Sequence, residues 1–382
     1  MKKVLVPRVR FKGFDDNWEQ GNIGEVFELT RGEVLSQRKI RNKKMGEYIY
    51  PVFSSQTLNN GLLGFYNNFL FKNSITWTTD GANAGTVLYR DGLFYATNVC
   101  GVMLQKTSIK PSSYFAHEIN VKVKKHVIKA GNPKLMINVL HEVLINFSKN
   151  KLEQEKISIL IENIDNLITL EQTKLNKLKQ LKETLLQKMF PEGNSKIPRI
   201  RFKGFDEEWK EEKLDDIFKV ITGGEPPKNY KNSKHPVGKY KYPIYSNGQE
   251  ANAIWGFSDN YSINTEAITI SSIGTIGFPV VRKMFFTPII RLKTLLPYNK
   301  NMNINFLNLS VSQINFSFNQ AGIPSMNSNQ LKDNIILISR NFSEQQKIGD
   351  FFSKIDTLLD LYNSKLNKLE QIKKALLQKM FL

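Results

Sequence analysis

The chain has 382 residues, with 54 Lys and Arg against 35 Asp and Glu, and a formal charge of +19. That surplus argues against an enzyme of small neutral substrates and for a polyanionic partner, either nucleic acid or an acidic membrane surface. The single cysteine, Cys100, excludes a disulfide framework and a cysteine-rich zinc site, and His117, His126, His141 and His235 are scattered without ligand spacing.

The opening MKKVLV has the look of a signal-peptide start, but Arg8, Arg10 and Lys12 arrive before any apolar stretch of useful length. No run of about 18 apolar residues predicts a membrane-spanning helix. A cytoplasmic protein without a membrane partner is expected, and nucleic acid is the preferred polyanion. Next comes VPRVRFKGFDDNW. Its Pro7, Arg8, Arg10, Phe11, Lys12, Gly13, Phe14, Asp15 and Trp18 return 191 residues later as Pro198, Arg199, Arg201, Phe202, Lys203, Gly204, Phe205, Asp206 and Trp209. A segment repeated so closely reads as shared structure that locks a globular part onto a helix, with Phe and Trp as buried anchors.

After the opening segment, TRGEVLSQRKIRNKK carries Arg31, Arg38, Lys39, Arg41, Lys43 and Lys44 against one acid, Glu33. The corresponding place in the second half holds Lys228, Lys231, Lys234, Lys239 and Lys241 against Glu225. Both stretches contain Gly or Pro and lack apolar periodicity, so they read as loops whose cations donate to phosphates and reach base edges. Short runs rich in Tyr, Ile, Val, Thr and Phe then predict strands and turns. YPVFSS at 50–55 resembles YPIYSN at 242–247, and ITWTTDG at 75–81 matches ITISSIG at 268–274, now 193 residues apart. The polar ends of these runs offer candidate base readers: Ser54, Ser55, Gln56, Thr78 and Thr79 in the first half, and Ser246, Asn247, Gln249, Ser271 and Ser272 in the second. They are equally accounted for as strand-end turn residues.

Each half closes on a long apolar repeat, LEQEKISILIENIDNLITLEQTKLNKLKQLKETLLQKMF and FSEQQKIGDFFSKIDTLLDLYNSKLNKLEQIKKALLQKMF. Lys156 recurs as Lys347 and Phe190 as Phe381, again 191 residues apart. Ile161, Ile164, Ile168, Leu175, Leu178 and Leu185 in the first copy follow a 3–4 spacing. Phe352, Ile355, Leu359, Leu366, Leu369 and Leu376 do so in the second. Sustained heptads predict helices meeting along a coiled-coil seam, interrupted by Glu171, Lys182 and Lys373. Ser343 with Gln346 fits a capping box, and Pro191 ends the first helix. At about 1.5 Å per residue each helix is a rod of roughly 57 Å. The fold class is therefore α/β (α+β): two similar mixed α/β domains joined by two long helices that pack on each other, an internal repeat of 191 residues. The expected divisions are 1–150, the helix 151–190, 191–341 and the helix 342–382.

No phosphate-binding GxxxxGK[ST] occurs, and no GxGxxG follows a strand. The Pro226-Pro227 pair, with Glu225 before it and Lys228 after it, departs from the [DN]PP[YF] pattern of amino-methyltransferases. The chain reads as a binder rather than a catalyst.

Taken together, PRVRFKGF…W, a variable domain and a helix ending LLQKMF, all occurring twice, resemble the specificity subunit of Type I restriction–modification enzymes over the whole length. The resemblance implies two target recognition domains related by a pseudo-twofold, each reading one half of a split sequence in double-stranded DNA, with the helices packed antiparallel and setting the gap. It implies docking of two modification (methyltransferase) subunits, through which restriction (motor and nuclease) subunits join. S-adenosylmethionine, ATP and Mg2+ would belong to those partners and no cofactor to this polypeptide. A stand-alone bipartite DNA-binding regulator and a complete DNA methyltransferase are the competing readings.

Overall fold

Both heptad segments are helical from end to end, over Lys151–Met189 and Phe342–Met380, 39 residues each. Asn150 and Asn341 cap them. Their Oδ1 atoms accept from the N–H groups of Leu152 and Glu153 at 3.0 and 3.4 Å, and of Ser343 and Glu344 at 3.0 and 3.3 Å. Ser343 is thus not the cap that its spacing to Gln346 suggests. It already lies inside the helix, and Gln346 donates to Asp350 instead.

The structure, a computed structural model, describes residues 5–55, 58–248, 253–320 and 322–381. They form two compact units, Met1–Gln172 with Ser364–Leu382, and Thr173–Asn363. The long helices are therefore not separate layers. Each gives its first part to the unit of its own repeat and its last part to the other unit.

The first unit contains β1 (Glu19–Asn22), β2 (Phe27–Arg31), β3 (Tyr50–Phe53), β4 (Leu62–Tyr66), β5 (Phe71–Thr78), β6 (Val87–Ala96), β7 (Cys100–Gln105), helix α1 (Ser113–Val123), β8 (Leu144–Phe147) and the start of α2 (Lys151–Met189). Six strands make one sheet in the order β2-β7-β5-β6-β3-β4, and β1 pairs antiparallel with β8. Strand alternation assigns the faces. Ile75 and Trp77 of β5 enter the core with Phe115 and Ile119 of α1, which leaves Ser74, Thr76 and Thr78 on the opposite face.

The second unit repeats this plan with β9 (Lys210–Lys213), β10 (Phe218–Thr222), β11 (Tyr230–Lys231), β12 (Tyr242–Tyr245), β13 (Ile254–Ser258), β14 (Ala267–Ser271), β15 (Gly277–Arg282), β16 (Thr287–Pro288), β17 (Lys293–Pro297), helix α3 (Ile304–Ser312), β18 (Ile335–Ile338) and the start of α4 (Phe342–Met380). The order β10-β17-β14-β15 reproduces β2-β7-β5-β6, while β11-β13-β12-β16 forms its own sheet. β9 pairs with β18 as β1 does with β8.

Each core is finished by the tail of the other repeat's helix. Met380 and Phe381 pack with Trp18, Tyr114, Ile157 and Ile161 in the first unit. Met189 and Phe190 pack with Trp209, Phe306, Ile348 and Phe352 in the second. The helices run antiparallel within each unit, as the ion pairs show. In the first, Asp165 meets Lys373 and Glu171 meets Lys365, the latter at 2.9 Å; in the second, Lys182 meets Asp356. The polar residues that interrupt the heptads are thus partners across the helices. Ile161, Ile164, Leu175, Phe352, Ile355 and Leu366 are buried, and Ile168, Leu178, Leu185, Leu359, Leu369 and Leu376 are half-buried.

Candidate nucleic-acid interface

The repeated opening segments do more than insert aromatic rings. Arg10 donates through Nε and Nη2 to the two carboxylate oxygens of Glu153 at 2.6 and 2.9 Å, and the indole N–H of Trp18 donates to the same carboxylate at 3.2 Å. Arg201, Glu344 and Trp209 repeat this at 2.6, 2.8 and 3.2 Å. Lys156 lies over the Phe14 ring and Lys347 over Phe205, at 5.1 and 4.8 Å from the centroids. Each lock fixes the start of a long helix to its sheet domain, the frame on which the variable loops are carried.

The basic segments are outside. Arg31, Arg38, Lys39, Arg41, Lys43 and Lys44 are exposed, as are Lys228, Lys231, Lys234 and Lys239. The first group is not a free loop: the backbone of Arg41 pairs both ways with Phe65 of β4, and its guanidinium stands 5.0 Å from the Tyr48 ring centroid. In the second group Lys239 pairs with Asp259 at 3.0 Å, which holds its ammonium pKa above the ordinary lysine value, and Lys231 and Lys239 flank Tyr240.

The polar strand ends divide differently from the sequence expectation. Ser54, Ser55 and Thr78 are half-buried and near the surface. Thr79 is only 2 % exposed, its hydroxyl within hydrogen-bonding distance of Val99 O and Asp80 Oδ2 at 2.9 and 2.6 Å. Ser271 and Ser272 are 2 % and 1 % exposed, and the Ser272 hydroxyl donates to Arg291 O at 2.7 Å. These three are internal residues at or just past strand ends, not outward readers. Asn247 is likewise engaged, since Oδ1 accepts from the Ser272 N–H at 2.8 Å and Nδ2 donates to Ile290 O. Ser246 ties its turn through a backbone bond to Ala253. Gln56 and Gln249 lie outside the described residues.

Sequence reasoning passed over an arginine in each unit. Arg90 on β6 donates through Nε to the Thr76 hydroxyl at 3.0 Å and through Nη2 to Asn60 O at 2.7 Å, with its guanidinium 3.7 Å from the Phe53 ring centroid. Arg282 on β15 donates through Nε to Thr269 at 3.0 Å and lies 4.0 Å over Tyr245. Burial lowers both pKa values, that of Arg90 to about 10. The signal that could have found them is the pairing of ITWT with ITIS, which aligns Thr76 with Thr269 and leads to an arginine in the next strand. Lys293 of β17 is also buried, donating to the Thr222 and Ser328 hydroxyls at 3.0 and 2.9 Å.

Among the described residues no cluster of His, Cys, Asp and Glu could hold a metal ion, and no helix is long and apolar enough to cross a membrane. The Cys100 thiol is buried and its pKa is pushed up to about 11, which keeps it protonated and unreactive.

The sequence profile of the Type I restriction modification DNA specificity domain matches residues 15–180 and again 206–371. The chain belongs to the Type I specificity subunits. A Mycoplasma pneumoniae protein named as a type I specificity subunit is 32% identical over 336 residues, covering 86% of each chain. Another M. pneumoniae relative, the specificity subunit of the restriction enzyme MpnII, is 33% identical over 163 residues, 42% of this chain and 46% of its own. The crystal structure of an S subunit from M. genitalium has the same fold, with a TM-score of 0.70 at 19% identity over 99% of both chains. As a specificity subunit the chain carries two target recognition domains, and the basic segments, Arg90 and Arg282, and the half-buried strand ends are borne on them.

Proposed function

We propose that this specificity subunit reads a bipartite site in double-stranded DNA, one half by each target recognition domain, and performs no chemistry itself. Methyl transfer, DNA translocation and cleavage, with their S-adenosylmethionine, ATP and Mg2+, fall to partner subunits. The observation that carries this reading is one strand plan built twice, 191 residues apart, bearing different polar loops each time. A fixed frame with changed loops is how a binding fold acquires a second target of the same chemical class.

The helices supply the two remaining parts of the proposal. Each runs unbroken from residues of one unit to residues of the other, which suits a stiff spacer that sets the gap. Each unit also leaves apolar helix residues bare: Leu167, Leu170 and Ile372 in the first, and Leu358, Leu361 and Leu181 in the second, all between 44% and 62% exposed. Leu167 and Leu358, Leu170 and Leu361, and Leu181 and Ile372 are 191 residues apart. Apolar positions duplicated with the repeat fit two copies of one partner, the methyltransferase subunit, better than two unrelated ones.

Mapping methylated adenines in cells expressing the chain with its methyltransferase subunit tests the proposal. A split motif is expected, and four residues inserted into both helices should lengthen its gap while leaving both half-sites unchanged. A continuous motif, or a gap indifferent to the insertion, contradicts it. Leu167→Ser with Leu170→Ser should weaken co-purification of the methyltransferase subunit and spare thermal stability.

A further inference from the structure

Where this chain buries a cation in its opening segments, it supplies the counter-charge: Arg10 and Arg201 each face a glutamate through two hydrogen bonds. Arg90 is treated otherwise. It is half-buried, its partners are the Thr76 hydroxyl, the Asn60 carbonyl and the face of Phe53, and no carboxylate acts on it among the described residues. Withdrawing a guanidinium from water is costly unless an opposite charge approaches it. Burial lowers the pKa of Arg90 to about 10.

Around Arg90 the first recognition domain has a pocket of about 90 Å³, lined by Ser54, Asn60, Thr76, Thr78, Asn83 and Thr86 among others. The named lining residues are neutral hydroxyl and amide groups, and hydrogen-bond donors are plentiful among them. Hydroxyl and amide donors around a guanidinium suit the oxygens of one phosphate. The pocket also lies where β3 and β5 end, beside the turn that Arg90 holds through Asn60.

The frame of this site recurs. Phe53, Thr76 and Arg90 correspond to Tyr245, Thr269 and Arg282, each with an arginine stacked on the ring and bonded through Nε to the threonine. Surrounding loops have diverged, while the arginine and threonine are kept and the ring changes only from Phe to Tyr. A contact that reads bases would differ between domains with different half-sites, whereas a contact to the sugar–phosphate backbone serves both equally. We propose that the Arg90 pocket seats one backbone phosphate of the bound duplex and so fixes the register of the first recognition domain without reading sequence. This rests on the DNA-reading function proposed above.

The experiment measures binding of the assembled methyltransferase complex to a duplex carrying the mapped motif and to a scrambled duplex, across a KCl series. Arg90→Gln is expected to weaken both by about tenfold and to make log K against log salt shallower by about one. Arg90→Lys is expected to keep the slope. An unchanged slope in Arg90→Gln overturns the proposal, as does a loss confined to the motif duplex, which would make Arg90 a base reader. Single methylphosphonate substitutions, each neutralising one phosphate, give a second measurement on the wild-type complex and on Arg90→Lys in case the glutamine variant fails to fold. One substitution should match the expected slope change and cost the lysine variant less than the wild type; absence of any such position is also fatal. If the wild-type complex binds the two duplexes equally, it is the DNA-reading function that fails.

Discussion

Phe381, at the end of the second repeat, packs edge-on against Trp18, near the start of the first, with ring centroids 6.2 Å apart. It also meets Tyr114 at 5.5 Å and is 4 % exposed. The first unit's core is therefore closed by a residue 363 positions along the chain from its partner. Phe381→Ala should remove about 3–5 kcal/mol from that unit, the usual cost of deleting a buried aromatic ring. Phe190→Ala should do the same to the second unit through Trp209 and Phe306. Urea melts followed by tryptophan fluorescence report both, and a loss below about 1 kcal/mol would show the tails to be dispensable.

Arg10 and Glu153 are a structural lock in which neither partner stands alone, since their side chains are 9% and 0% exposed. Arg10→Ala leaves Glu153 buried without its counter-charge, so a loss of about 3–5 kcal/mol is expected. Arg10→Met with Glu153→Met should recover much of it, because the double change removes both desolvation costs. A double variant no better than the single one would assign the effect to packing rather than charge.

Gly349 is the one glycine inside the long helices, and ordinary helix propensity favours replacing it with Ala by about 1 kcal/mol. The structure predicts the opposite sign. A Cβ there would stand 2.2 Å from Asn303 Oδ1, the atom that caps α3 by accepting from the Phe306 N–H at 2.9 Å. Displacing the cap and crowding the helix contact should leave Gly349→Ala about 1–3 kcal/mol less stable. Ser158 occupies the equivalent position of α2, where the repeat places the smaller Ser112 in register with Asn303, and Ser158→Ala serves as the near-neutral control. Thermal melts of the two variants side by side decide the matter.

Glu118 on α1 is fully buried, with its Oε1 3.0 Å from the Asn146 N–H and 3.9 Å from Lys122 Nζ, and its Oε2 unpartnered among the described residues. Burial pushes its pKa up from 4.5 to about 7, against the opposing pull of Asn146 and Lys122. A raised folded-state value favours the protonated form. The associated stability is fully present below pH 4.5 and is lost as pH rises through about 7. Glu118→Gln should therefore gain on the wild type across that window, by up to about 3 kcal/mol. Parallel denaturation curves at several pH values test this, and a difference that does not change with pH refutes it.

Much of this fold could be read from the sequence because the repeat supplied its own control. Heptad spacing in Ile161–Leu185 and Phe352–Leu376 gave the helices, and the polar breaks at Glu171, Lys182 and Lys373 marked where charged partners cross. What stayed hidden were long-range pairings of residues with several plausible roles. Glu153 reads as an acid favoured near any helix start, and only the fold shows it beneath Arg10. Arg90 and Arg282 are 192 residues apart, one off the main repeat, because the intervening loops differ in length. Thr79, Ser271 and Ser272 misled because a short polar residue at a strand end looks alike in sequence whether it turns outward or inward.

The boundaries between the two units fall after Gln172 and Asn363, at the start of TKLNKL and SKLNKL, a stretch in which the two halves share five residues in a row. A genetic crossover at those points would exchange residues 173–363 as one continuous piece, with Phe190 and Phe352 travelling inside it and the opposite core left whole. The seam of the molecule is thus also a natural joint for recombination. New pairings of half-sites could arise by shuffling intact modules, without passing through chains that cannot fold.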